Sequence, residues 1–349
     1  MNIFDLIKAP ELTAYWEEHS QHQAPYLGEE LFPADKKLGL KLDWIKGANG
    51  LPVVLKPSAF DVGAVPRPRI GFDMLSAEMP FFKESTYIDE ELRQQLNMVL
   101  ETNNQSYIDS VVRRVFDDET RLLAGARARR EEMRMMALTT GAIAITANGQ
   151  AYNYDYHLPE DHKVTANTGW ANLEAADPIE DLRTWMDKAE ADTGIRPTRG
   201  VCSRKTWGYL RSNQKILKSI FVLSNGQVGA ISDSRLTQYL LDELGLELII
   251  YSKQYKNDAG VATKFVPDDT VSLFPEGDLG KTWFGTTPEE SDLMGGKVAN
   301  VAITDTGVAI TTIEKADPVN VETKVTMICL PSFEAADSVI IADVAGDAA

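Results

Sequence analysis

Between Gln105 and Leu138 the apolar residues Ile108, Val112, Val115, Leu122, Ala126, Met133 and Met136 recur at steps of three and four, broken only by Glu119 and Arg129. That is the period of one face of an α-helix. One helix over these residues spans roughly 50 Å at about 1.5 Å per residue, a length that signals a coiled coil, a membrane span or a structural backbone. Charges at Arg113, Arg114, Asp117, Asp118, Arg127, Arg129, Arg130, Glu131 and Glu132 exclude the membrane. About five heptads with two charged seam positions make a poor coiled coil, which leaves a backbone packed against a sheet.

β-segments flank this helix. In GAIAITANGQAYNYDYH, Ile143 and Ile145 alternate with small residues, Asn148-Gly149 supplies a tight turn, and Tyr152, Tyr154 and Tyr156 alternate again, which predicts a hairpin. Upstream, KLGLKLDWI (37–45) places Leu38, Leu40, Leu42 and Trp44 on one face of an expected strand. Asn49-Gly50 then predicts a turn before the apolar run Leu51 to Leu55. From Lys56 to Pro80 the prolines 57, 66, 68 and 80 make a long excursion rather than a domain.

With 349 residues the chain has room for about two domains. The second begins near Asp177-Pro178. It is mixed α/β, with helices expected at 179–191, 203–210 and 234–244 and strands at 200–202, 246–251, 261–265 and 270–274. After Gly295-Gly296 the alternating runs ANVAITDTGVAITTIE and VETKVTMICL are expected to rejoin the first domain, so that the second is inserted within it.

Charge narrows the function. A net charge of −17 and a pI near 4.7 argue against attraction to nucleic acid or an anionic membrane. Residues 1–32 hold one lysine, Lys8, against six acids, and read as an acidic arm with scattered apolar anchors. Residues 33–80 reverse the sign, with seven basic against five acidic residues. Only Cys202 and Cys329 are present, so no disulfide framework is expected and both are read as small core residues. The N-terminus lacks the pattern of a secretory signal.

No motif carries chemistry. Gly277-Asp278-Leu279-Gly280-Lys281-Thr282 approaches a phosphate loop, but Pro275 stands where the first glycine is required and offers no N–H. His19, His22, His157 and His162 lack the spacing of a zinc site. Cys202, in GVCSRK, has no base to activate it. The pairs Asp117-Asp118 and Glu289-Glu290, and the run Arg127 to Glu132, read as solvated or salt-bridged faces.

Three strings carry a family resemblance: Arg130-Glu131-Glu132-Met133 leading to Thr140-Gly141; Ile250-Tyr251-Ser252-Lys253-Gln254-Tyr255 with Phe265-Val266-Pro267-Asp268-Asp269-Thr270; and Val325-Thr326-Met327 through Val339. In their order along the chain they resemble the major capsid protein E family of lambda-like tailed phages, with the Hong Kong 97-type fold. The resemblance implies an α+β subunit with an N-terminal arm (1–32), an extended loop (33–82), a spine helix and peripheral domain (83–177), an inserted axial α/β domain (178–295) and a closing β segment (296–349). It implies a non-enzymatic major capsid protein that self-assembles as hexamers and pentamers into an icosahedral shell. The shell would enclose double-stranded DNA without binding it specifically, without a cofactor or a membrane, in virions assembled in the host cytoplasm. Scaffolding, portal and decoration proteins are the implied partners. No long charged helical leader precedes the arm, so the scaffold is expected as a separate protein.

A loop and an arm with no core of their own should bury their apolar residues on neighbouring copies. The expected intersubunit contacts are therefore Trp16, Lys37, Lys41, Trp44, Lys46, Asn49, Gly50, Lys56, Arg67 and Arg69. Family members that crosslink join a lysine and an asparagine of different subunits; Lys56 and Asn300 are nominal counterparts to which no crosslink is assigned. Two alternatives stand beside this reading: an encapsulin-like compartment shell, and an enzyme housed in the α/β insertion.

Overall fold

The computed structural model describes residues 8–21, 23–46, 73–88, 90, 94, 98, 105–221, 231–257, 259–296, 299–317 and 319–346. In chain order its helices are α1 (Ala9–Gln21), α2 (Leu27–Leu31), α3 (Gln105–Thr140), α4 (Pro178–Thr193), α5 (Arg204–Ser212), α6 (Gln214–Ile220) and α7 (Asp233–Leu244). The chain divides into two compact units. The first comprises residues 1–42, 77–134 and 281–332, the second residues 43–76, 135–280 and 333–349.

The first unit is a helix-backed sheet. Its strands are β1 (Ala34–Lys36), β4 (Phe81–Ile88), β13 (Thr282–Phe284), β14 (Asn300–Thr304), β15 (Val308–Ala316) and β16 (Val319–Pro331), in the order β1-β13-β16-β15-β14 with β4 also on β16. β16 holds the sheet together because its thirteen residues serve two partners along one edge: Val321 to Ile328 pair with β4, and Cys329 to Pro331 pair with β13. Between β14 and β15 the chain turns through Asp305 and Thr306, both at positive φ (46° and 74°). Gly307 follows because a Cβ there would lie 2.6 Å from that of Phe284.

Helix α3 runs over 36 residues, close to its expected span, and contributes Gln105 to Arg134 to this unit. Val115 is buried as its expected apolar stripe requires, but Leu122 of that stripe is only half-buried and the neighbouring Leu123, outside it, is the buried residue. The acidic arm departs from expectation. Leu12, Trp16, Leu31 and Phe32 are each at most 1% exposed, covered by their own chain. An amphipathic helix and a short helical turn give those side chains a local face to bury, which the charge pattern alone concealed.

Two-stranded pairing links β2 (Lys41–Lys46) with β3 (Asp73–Glu78). The strand expected from Lys37 starts only at Lys41, because Gly39 sits at φ 91° and breaks the alternation. Leu38 and Leu40 are consequently 84% and 46% exposed, while Leu42 and Trp44 are buried. The expected turn at Asn49-Gly50 and the run Leu51 to Leu55 lie outside the described residues.

The second unit contains the predicted hairpin, β5 (Ala142–Ala147) and β6 (Gln150–Asp155), with Asn148 and Gly149 at φ 50° and 73° as a type I′ turn demands. Its main sheet has the order β7-β17-β12-β8-β9, where β7 is Lys163–Thr165, β8 Arg199–Cys202, β9 Glu247–Ile250, β12 Thr270–Phe274 and β17 Ile340–Asp343. Helices α4 to α7 close on it around Trp170, Leu182, Trp185, Trp207, Leu210, Leu236 and Leu240. Asp177 caps α4 by accepting from the Glu180 N–H, Pro178 occupies its first turn, and Gly194 ends it at φ 76°. A short hairpin, β10 (Gln254–Lys256) with β11 (Ala262–Lys264), completes the unit. β17 lies beyond the two runs expected to rejoin the first domain, and it pairs between β7 and β12. Ile340 and Ala342 are fully buried and Ile341 is 8% exposed, the two-sided burial of an inner strand.

Candidate assembly site

Within the first unit, the run Arg127 to Arg134 is a buried charged seam rather than the salt-bridged surface that its composition suggests. Glu131 is 0% exposed, and Arg130 and Arg134 are 5% and 3% exposed. The helical repeat turns residues 127, 130, 131 and 134 to one side, and each meets a partner from the arm or the sheet. Arg127 donates through Nε and Nη2 to the two carboxylate oxygens of Glu29 (2.6 and 2.8 Å) and lies over the Tyr26 ring at 5.1 Å. Burial alone would raise the Glu29 carboxyl; the Arg127 hydrogen bonds outweigh it and hold the group below its ordinary range.

Glu131 accepts from the Gly28 N–H at 3.1 Å. A Cβ at position 28 would stand 2.4 Å from Glu131 Oε2 and 2.7 Å from Arg134 Cδ, so a larger residue there must displace both side chains of the seam. Arg134 Nε donates to Thr282 Oγ1 (2.8 Å), which itself donates to the Phe32 carbonyl (3.0 Å). Arg130 Nη2 donates to Asp305 Oδ2 at 2.6 Å, and the other oxygen of Asp305 accepts from Trp16 Nε1 at 3.4 Å. The seam thus ties α1, α2 and the β14–β15 turn to one stretch of α3. Buried charges persist only where paired and hydrogen-bonded, so each member depends on the rest.

A cavity of about 290 Å³ opens beside this seam, lined among others by Trp16, Ser20, Arg127, Arg130, Asp305 and Thr306. Its guanidiniums already face Glu29, Asp305 and Glu131, so it offers little uncompensated charge. The pair Glu289-Glu290 also departs from a solvated face. Glu289 is 5% exposed, receives Lys324 Nζ at 2.6 Å and Thr326 Oγ1 at 3.0 Å, and Glu290 pairs with Lys36. These two carboxylates are distant in sequence from their lysines and threonine, so spacing could not reveal the pairing.

Among the described residues no group of three or more His, Cys, Asp or Glu side chains could hold a metal ion. His162 is buried and placed by Val339 O (3.2 Å) and Asp192 (3.1 Å), His19 and His157 are exposed, and His22 is outside the described residues. Burial pushes the Cys202 thiol up to about 12 and that of Cys329 to about 11, against nucleophilic use. Lys281 of the glycine-lysine-threonine string donates to Asp35 at 2.7 Å.

The model of a family described as phage major capsid protein E matches residues 8–344. The chain belongs to this family. A prophage protein of Escherichia coli CFT073 assigned as a capsid protein has the same fold, with a TM-score of 0.63 and 18% identity over 97% of this chain and 99% of that one. A phage-related protein from Bordetella bronchiseptica RB50 gives a TM-score of 0.57 and 13% identity over 98% of both chains. At such identities the two structures establish the fold alone. No curated protein sequence gives a significant match.

This capsid chain carries its expected contact residues in three situations. Lys41 is exposed on β2, Lys37 is half-buried with its N–H donated to the Phe284 carbonyl at 2.8 Å, and Lys46 closes β2. Trp16 and Trp44 are corrections to the expected surface: at 1% and 7% exposure they are covered by their own chain, Trp16 beside Asp305 and Trp44 against Tyr156 at 5.8 Å between ring centroids. Burying an indole removes a large apolar area from water, which favours a packing site within the subunit. Asn49, Gly50, Lys56, Arg67 and Arg69 lie outside the described residues, and Asn300 is exposed at the start of β14. No helix among the described residues is long and apolar enough to cross a membrane.

Proposed function

We propose that this capsid protein is the repeating subunit of an icosahedral phage head, associating as hexamers and pentamers around packaged double-stranded DNA. The observation that carries the reading is the family match from residue 8 to residue 344, nearly the whole chain. Its role is structural rather than catalytic. The domain scheme is an arm at 1–32, a loop at 33–82, a spine helix and peripheral domain at 83–177, an axial domain at 178–295 and a closing segment from 296. The exposure of Leu38 and Leu40 at the root of the β2–β3 ribbon supports a loop that finishes its burial on another copy. The charge of −17 suits a wall along which DNA slides without sticking. Scaffolding, portal and decoration proteins are its proposed partners, and assembly takes place in the host cytoplasm.

Deletion of Lys46 to Pro52 tests the loop assignment. The subunit should remain folded by circular dichroism while sedimentation shows weakened assembly. Unchanged assembly of the deletant would remove the loop from the interface.

A further inference from the structure

Glu119 lies on α3 in the interior of the first unit, 5% exposed, with Oε2 lacking a hydrogen-bond partner. Opposite it the strand registers form a polar row across the sheet: Thr86 on β4 pairs with Thr323 on β16, Thr323 with Thr312 on β15, and Thr312 with Asn300 on β14. The two central members are 1% and 4% exposed, and their hydroxyls form no hydrogen bond of good geometry. The charges that share this sheet face, Glu84 and Glu314, are acidic and exposed, and the neighbour on the helix that acts on Glu119 is Asp118. Among the described residues no cation pairs with it.

We propose that Glu119 is a proton-binding site that makes the contact between the long helix and the sheet pH-dependent. The neutral carboxylic acid fits among the threonine hydroxyls and can donate to one, whereas the carboxylate brings an unpaired charge into the interface. Burial is the dominant influence and holds the carboxyl up at about 7; the Thr323 hydroxyl opposes this and Asp118 adds to it. The native chain therefore binds a proton that the unfolded chain, with an ordinary value of 4.5, has already released. The stabilisation is complete below pH 4.5, fades as pH rises through 7, and is absent above it. This inference is independent of the shell reading.

The test is urea unfolding of the full-length wild type and of Glu119→Gln at pH 5 and pH 8. Glutamine keeps the shape of the neutral acid, so the two chains should unfold alike at pH 5. At pH 8 the wild type should be weaker, its unfolding constant rising relative to that of Glu119→Gln on the order of 100-fold. Parallel curves at the two pH values overturn the proposal. Should the variant fail to fold, hydrogen exchange of α3 amides in the wild type decides. After correction for intrinsic rates, protection around Val115 to Leu123 should fall between pH 5.5 and 8, and constant protection would refute the assignment.

Discussion

Truncating Trp16 to alanine should detach the arm from an isolated, unassembled subunit. The indole is 1% exposed and donates to Asp305, which Arg130 holds from the other side. Loss of a buried tryptophan costs about 3–5 kcal/mol, and the long 3.4 Å hydrogen bond adds little to that. Alanine returns a few tenths of a kcal/mol in helix propensity. A net loss of about 3 kcal/mol raises the population of the arm-open state roughly 100-fold. The exposed Glu17 and Glu18 on α1 give a glutamate-specific protease its target. Cleavage there, measured at concentrations where subunits stay apart, should therefore accelerate by about two orders of magnitude in Trp16→Ala. Tyr15→Phe, which loses only an exposed hydrogen bond to Asp117, should change it little. Equal cleavage of wild type and Trp16→Ala, with a difference appearing only in assembled material, would mean that a neighbouring copy buries this ring.

Three other substitutions probe separate parts of the molecule. Glu131→Ala removes the acceptor of the Gly28 N–H and leaves Arg134 buried without its carboxylate, so thermal unfolding should show a loss of about 3 kcal/mol or more. Gly169→Ala would place a Cβ 2.0 Å from the Ala345 carbonyl oxygen; the C-terminal segment after β17 must then lift away, seen as faster proteolysis after Asp343. Cys202 and Cys329 should resist a thiol reagent at pH 8 in the native chain and react fully in urea, and labelling of either at native conditions would contradict their burial.

What the sequence made legible follows from the range of the interactions involved. The 36-residue helix, the Asn148-Gly149 hairpin and the Asp177-Pro178 start of α4 are written in local periodicity, turn chemistry and capping, and the structure has each of them. Helix α6 has no readable sequence signal although Asn213 caps it, because seven residues are too few for a clear period. Arg127, Arg130 and Glu131 read as a salt-bridged surface in the sequence because their partners, Glu29, Asp305 and Gly28, are distant along the chain, as is Thr282, the partner of the neighbouring Arg134. Trp16 and Trp44 appeared as free anchors for the same reason. The alternation puts Leu38 and Leu40 on one face with Leu42 and Trp44, but Gly39 interrupts it, and a single left-handed residue leaves no periodic trace.

The most direct test of the shell assignment is electron microscopy of the purified full-length chain, concentrated under conditions that favour association. Closed particles of uniform diameter with a wall one subunit thick are the predicted outcome. A preparation that stays monomeric or stops at a small open oligomer at every concentration would contradict it.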